Sequence, residues 1–151
     1  SNIKLQFIGN TCPELKQEIQ RLNLGNKVML KPYMPHIASI AELQQSDLLL
    51  LVINQVANGK GIVPGKIFEY LGTRKPILCL GDPTGEAGEI IKTTNSGFCI
   101  AHHNEEEIFI LLSRLSSGVL PGLSFQTEQF ERKNETGQLC DIFNTLVNKP
   151  S

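Results

Sequence analysis

The chain has 151 residues, of which 40% are hydrophobic and 19% charged, and its formal net charge is −1. This is one domain's worth of ordinary globular sequence, long enough for a sizeable core. The near-neutral balance, with no basic or acidic tail, gives no electrostatic case for nucleic acid. Apolar runs such as Leu48 to Ile53 are far too short to span a bilayer.

No signal peptide opens the chain, and its initial Ser-Asn looks like an expression remnant, so the natural protein is expected to begin upstream. The four cysteines, Cys12, Cys79, Cys99 and Cys140, contain no CxxC pair. Two lie in apolar strand-like runs, which reads as buried reduced thiols in a cytosolic protein and not as metal ligands or disulfides.

In chain order, Ile3 to Ile8 predicts a strand ending at Gly9-Asn10. Thr11 with Glu14 has the spacing of a capping box, opening a helix to about Leu22 that Gly25 stops. Val28 to Lys31 predicts a short strand before "PYMP". Ile37, Ile40, Ala41 and Leu43 then set an apolar stripe at helical spacing. Leu48 to Ile53 is apolar at every position, as a strand covered on both faces should be.

After a long loop, Pro64 sits where a first-turn proline is tolerated, opening a helix through Tyr70 to Gly72. A strand over Pro76 to Leu80, the turn "GDPTG", a helix through Lys92 and a strand over Gly97 to Ala101 follow. Asn104 and Glu107 cap a further helix, and a last one is expected from about Phe125 to Val147. Five strands joined by helices imply right-handed crossovers and a doubly wound, Rossmann-like α/β domain with a parallel sheet and helices on both faces. Ligands of such sheets sit beyond the carboxyl ends of the strands, which favours the loops Gly9 to Thr11, Pro32 to His36 and Asn54 to Pro64.

The segment "NGKGIVPGKIFEYLGTRKP", Asn58 to Pro76, has the composition of an anion site. It is not a P-loop: Lys60 stands where GxxxxGK[ST] needs its first glycine, Ile67 offers no hydroxyl for Mg²⁺, and Pro64 lacks an N–H. What remains is a helix amino end with Gly65 before it and Lys66 in its first turn. Roughly half a unit of positive charge at such an end suits a diphosphate. Glu69, about 7 Å further along the axis from Pro64, is an acceptor able to take two ribose hydroxyl protons. From composition alone, solvated surface residues are the default reading of Lys66 and Glu69, and a mobile loop that of Gly59, Lys60 and Gly61.

The stretch "VPGKIFEYLGTRKPILCLGDPTGEAGEII" resembles the C-terminal, donor-binding domain of the glycosyltransferase group 1 family, retaining enzymes of GT-B fold. The resemblance rests on a glutamate-containing helix ("FEYLGTRKP"), an apolar strand ("ILCL") and a glycine-rich loop ending in Glu-Ile. "FIGN", "VMLKPYMP" and "FERKNETGQLCDIF" extend it over nearly the whole chain.

The resemblance implies that Glu69 is the second glutamate of an E-x7-E motif and binds the donor ribose. The first glutamate, which contacts the donor sugar, falls at Gly61, a departure for which Lys60 or loop backbone would substitute. Tyr33 and Met34 match the backbone that meets the base, Gly9 and Asn10 a cleft-facing loop, and Pro64, Gly65 and Lys66 the sugar-phosphate end.

A further implication is that an upstream strand-turn-helix and an N-terminal, acceptor-binding domain are missing. The chain would then be a fragment, inactive alone, with its first and third strands closing the gap or a neighbouring copy filling it by self-association. The parent would transfer sugar from a nucleotide donor, UDP-linked among the options, to a saccharide or lipid-linked acceptor. It would do so without metal or cofactor, in the cytoplasm or at the inner face of the membrane, in bacterial surface polysaccharide synthesis. A GT-B sugar-nucleotide epimerase and a noncatalytic α/β interaction module are the alternatives. His36 reads as a capping or exposed residue, His102-His103 as a solvated strand end, and Asp82 and Glu86 as turn formers.

Overall fold

The computed structural model describes residues 3–56, 59–119 and 122–130. Five strands alternate with five helices: β1 (Leu5–Ile8), α1 (Pro13–Arg21), β2 (Val28–Lys31), α2 (His36–Gln45), β3 (Leu49–Val52), α3 (Lys66–Thr73), β4 (Ile77–Leu80), α4 (Glu86–Thr94), β5 (Gly97–Ile100) and α5 (Glu105–Ser116). Every strand pairing is parallel, and the architecture is Rossmann-like α/β. The strand pairings give two parallel sheets: β1 pairs with β2, and β3-β4-β5 form a three-stranded sheet.

The chain divides into two units, Ser1–Ser46 with His103–Gly122, and Asp47–His102 with Leu123–Ser151. In the first, α2 is tied to both strands through one carboxylate. Glu42 accepts from Gln6 Nε2 at 3.0 Å and from Lys31 Nζ at 2.7 Å. Four-residue strands with no fully buried side chain contribute little apolar burial there. Ile37 leaves the expected stripe and is 85% exposed on the first turn of α2.

The second unit holds most of the core. Leu49 and Leu51 of β3, and Ile53 directly after it, are buried on one face, whereas Val52 is 51% exposed on the other, so only half of that strand's expected cover is present. In β4 the consecutive residues Ile77, Leu78 and Cys79 are all buried, which places cover over both faces of the central strand. Ile67, Tyr70 and Leu71 of α3 and Ala87 and Ile91 of α4 supply buried apolar surface from the crossovers.

Three helix ends correct the sequence reading. The Thr11–Glu14 capping box does not form: α1 starts at Pro13 with Cys12 as its cap, in extended backbone (φ −71°, ψ 154°). A residue before proline is driven away from the helical region, so Cys12 could not be the first helical residue that a Thr11 cap would require. The helix closes through Asn23 at φ 53°, ahead of Gly25. Similarly, α3 runs one residue past Gly72 and ends on Arg74 in the left-handed conformation.

No helix begins at Phe125, which has φ 49°. The amides of Ser124, Phe125 and Gln126 instead donate to the carbonyls of Asn95 and Thr94 at the carboxyl end of α4. A single 3-10 turn, Glu128–Phe130, follows. The remainder of the expected helix, with Leu139, Ile142, Phe143 and Leu146, and Cys140 lie outside the described residues. Among those described, no helix is long and apolar enough to cross a membrane. The Asn104–Glu107 cap forms as expected, with Asn104 Oδ1 accepting from the Glu107 amide and Asn104 Nδ2 donating to Glu107 Oε2.

Two outcomes follow from this packing. Hydrogen bonds from Lys31 and then Gln6 hold the Glu42 carboxyl below its ordinary value of 4.5. The charged form therefore stabilises the fold above that value, and its contribution is lost as pH falls through the lower folded-state value. Melting temperature against pH should accordingly fall less steeply on the acid side for Glu42→Gln than for wild type. Truncating Ile77, 0% exposed at the start of β4, to alanine should cost about 2–5 kcal/mol in urea unfolding.

Candidate functional site

In a parallel β-α-β crossover the helix starts where the preceding strand ends. The amino end of α3 therefore stands at the carboxyl end of the β3-β4-β5 sheet, the end at which such sheets take ligands. The sequence makes that end polar. Pro64 and Gly65 precede the helix, and no side chain caps it. The helix begins at Lys66 and not at Pro64, and its first turn is tightened: the Ile67 amide donates to the Pro64 carbonyl at 3.0 Å and the Phe68 amide to the Gly65 carbonyl at 3.2 Å. Two of the amides expected to face a ligand are thus already used. Among the described residues, the N–H groups of Gly65 and Lys66 have no such partner.

Lys66 and Glu69 lie three residues apart on one side of α3, and both are exposed. Ile67, Tyr70 and Leu71 turn to the core. Neither charged side chain has a hydrogen-bond or ion-pair partner among the described residues. Glu69 stands about 6 Å along the axis from Gly65 at the helical rise. Tyr70 anchors the helix beneath them, its hydroxyl donating to the Leu50 carbonyl at 3.3 Å. Burial, and then the neighbouring Glu69 charge, raise the Tyr70 hydroxyl above the usual phenol range, so it stays protonated and able to donate.

The glycine-lysine loop is built differently from its expectation. Gly59–Gly61 form one 3-10 turn, with the Gly59 amide donating to Val56 and the Ile62 amide to Gly59. This turn packs on the start of α4. A Cβ on Gly85 would lie 3.0 Å from the Lys60 carbonyl oxygen and 3.3 Å from its Cα, so a side chain there would push that backbone back by a few tenths of an ångström. Lys60 Nζ reaches Asp82 Oδ2 and Thr84 Oγ1, each at 3.3 Å.

Asp82 is the turn former the sequence suggests: its Oδ1 accepts from the Thr84 amide at 2.8 Å and hydroxyl at 2.7 Å. Those Thr84 bonds, with Lys60, hold its carboxyl below the ordinary range. Glu86 is the exposed first residue of α4.

Two roles were missed in the sequence. Thr84 is one partner of Lys60. His102, expected to be solvated, is half-buried with Nε2 2.8 Å from the Ile53 carbonyl oxygen, joining the ends of β5 and β3. Since that carbonyl accepts, Nε2 carries the proton. Its position directly after an apolar strand was the available signal. His103 is exposed.

The other sequence-based candidates belong to the first unit. Gly9, at φ 114°, adopts a backbone conformation that side chains resist, and its amide donates to Lys31 beyond the end of β1. Asn10 is exposed, Tyr33 is 76% exposed after β2, and Met34 is half-buried. His36 is exposed as the first residue of α2. Among the described residues, no three His, Cys, Asp or Glu side chains gather as metal ligands would. Of the thiols, Cys79 is buried and Cys99 half-buried, but Cys12 is exposed, against the expectation of burial.

Compared with known proteins, the chain matches no family model and no curated protein.

The seating of the 3-10 turn generates a separate expectation. Replacing Gly85 by alanine should displace the Lys60 backbone, and hydrogen–deuterium exchange should rise at 59–62 and 82–85 while β4 and β5 stay protected. Asp82→Ala should loosen the same two segments by releasing Thr84 and Lys60 together.

Proposed function

We propose that the second unit holds the nucleotide diphosphate of a sugar donor, and that the parent protein is a retaining glycosyltransferase of GT-B type. One observation carries the reading: the amino end of α3 presents Lys66 and two backbone amides that have no partner among the described residues, and an exposed Glu69, likewise without a partner among them, follows on the same helix. The N–H groups and the lysine suit the two phosphates. The carboxylate, acceptor-only when ionised, suits two ribose hydroxyls.

The resemblance of "FEYLGTRKP", "ILCL" and "GDPTGEAGEII" to the group 1 donor domain supports the same assignment. Charge develops on the departing diphosphate during transfer, and fixed amides with a lysine offset it without reorganising. Glu69 is then a binding residue and not a nucleophile. With Lys60 engaged by Asp82 and Thr84, backbone of the Gly59–Gly61 turn is the better substitute for the missing first glutamate near the donor sugar.

The acceptor, a saccharide or lipid-linked saccharide, falls to another domain of the parent. An enzyme acting on such acceptors in surface polysaccharide synthesis would work in the cytoplasm, at the inner face of the membrane.

Titration of UDP by calorimetry tests the assignment, in this chain and in the full-length protein. Hydrogen bonds to a charged group contribute about 1.5–3 kcal/mol each, so Glu69→Ala should weaken UDP binding by about tenfold or more. Lys66→Ala should weaken it too and flatten its salt dependence. A Glu69→Ala affinity equal to wild type would remove the assignment. UDP should also raise the melting temperature of the wild type by mass action.

A further inference from the structure

We propose that Cys79 and Cys99 are a peroxide-oxidisable pair, forming a reversible disulfide across β4 and β5. The two are direct partners in the parallel ladder, flanked by Leu78↔Phe98 and Leu80↔Ile100. Direct partners in a parallel pair point to the same face. Their Cα atoms are about 4.8 Å apart at the usual strand spacing, within the roughly 4.4–6.8 Å that a disulfide spans. Both are free thiols. The pairing was invisible in the sequence, where 20 positions separate them and no CxxC spacing marks either. It arises only because β4 and β5 align in this register.

Their surroundings divide the chemistry. Cys79 is 0% exposed, whereas Cys99 is half-buried and open to a small oxidant. A hydrogen bond to Cys99, then burial, keeps the Cys79 thiol well above its usual value. The same bond holds Cys99 below its own. Cys99 is therefore the nucleophile and Cys79 the resolving thiol.

In the first step the Cys99 sulfur attacks the O–O bond of hydrogen peroxide. It takes one oxygen to become a sulfenic acid, and one water is released. The Cys79 sulfur then attacks the Cys99 sulfur, the S–O bond breaks, and hydroxide leaves with the Cys79 proton as a second water. Two thiols are oxidised by two electrons, and one peroxide is reduced to two waters. A dithiol should restore both thiols.

The test is peptide mapping of the folded chain after treatment with a few equivalents of hydrogen peroxide and alkylation of remaining thiols. A Cys79–Cys99 linked peptide, lighter by two hydrogens and lost on adding dithiothreitol, is expected. In denaturant that linkage should lose its preference over pairings with Cys12 and Cys140. Cys79→Ser should stop Cys99 at the sulfenic acid, captured by dimedone. The wild-type map decides the matter even if that variant fails to fold. Cys99 carried to sulfinic acid, or left unmodified, with Cys79 still a free thiol, would overturn the proposal. UDP affinity does not enter the readout, so this result stands apart from the nucleotide assignment.

Discussion

Ile77, Leu78 and Cys79 follow one another in β4, and burial of all three means that neither face of that strand meets water. A strand in that position needs a ladder partner on each edge and cover above and below, which β3, β5 and the crossover helices supply within one continuous stretch of chain. Parallel pairing leaves no choice about where the helices start, since each must return the chain to the opposite end of the sheet. The amino end of α3 is set at the strand tips by this constraint. Ile67, Tyr70 and Leu71, fixed in the core, then rotate the helix so that Lys66 and Glu69 face outward. Placement of the proposed nucleotide grip is thus a consequence of how the sheet buries its central strand.

The parts of the fold legible in the sequence were those governed by contacts a few residues apart. Alternation of apolar runs with helical patterns located all five strands, and Asn104 with Glu107 marked the start of α5 because that cap closes over three residues. The same four-residue pattern at Thr11 misled, since Pro13 overrode it by forcing Cys12 into extended backbone. Phe125 misled for a different reason. Its backbone is recruited by the carbonyls at the end of α4, about 30 positions earlier, and no local signal reports such a debt. The apolar stretch Leu48 to Ile53 could not tell a strand covered on both faces from one whose Val52 is half in water.

Within the candidate site the same division holds. That Gly65, Lys66 and Glu69 share one helix amino end was readable because the residues of a helix's first turn are sequence neighbours. Lys60 was readable as a cation near glycines, but its partners were not, as Asp82 and Thr84 come to it only through the packing of the Gly59–Gly61 turn on Gly85. His102 likewise depends on β3 and β5 ending together in space. Long-range register decides which polar groups are spent on the fold and which remain for a ligand. Lys60 is engaged by Asp82 and Thr84, whereas Lys66 and Glu69 have no such partner among the described residues.

Backbone amide mapping during a UDP titration, by two-dimensional NMR of the isotopically labelled chain, addresses the central claim most directly. The account expects the largest shifts at the Gly65 and Lys66 amides, saturating together with those of Glu69 and its neighbours, because those N–H groups gain phosphate acceptors. Saturable UDP binding that leaves Gly65 and Lys66 unmoved, or no binding at millimolar UDP in the full-length protein, would contradict it.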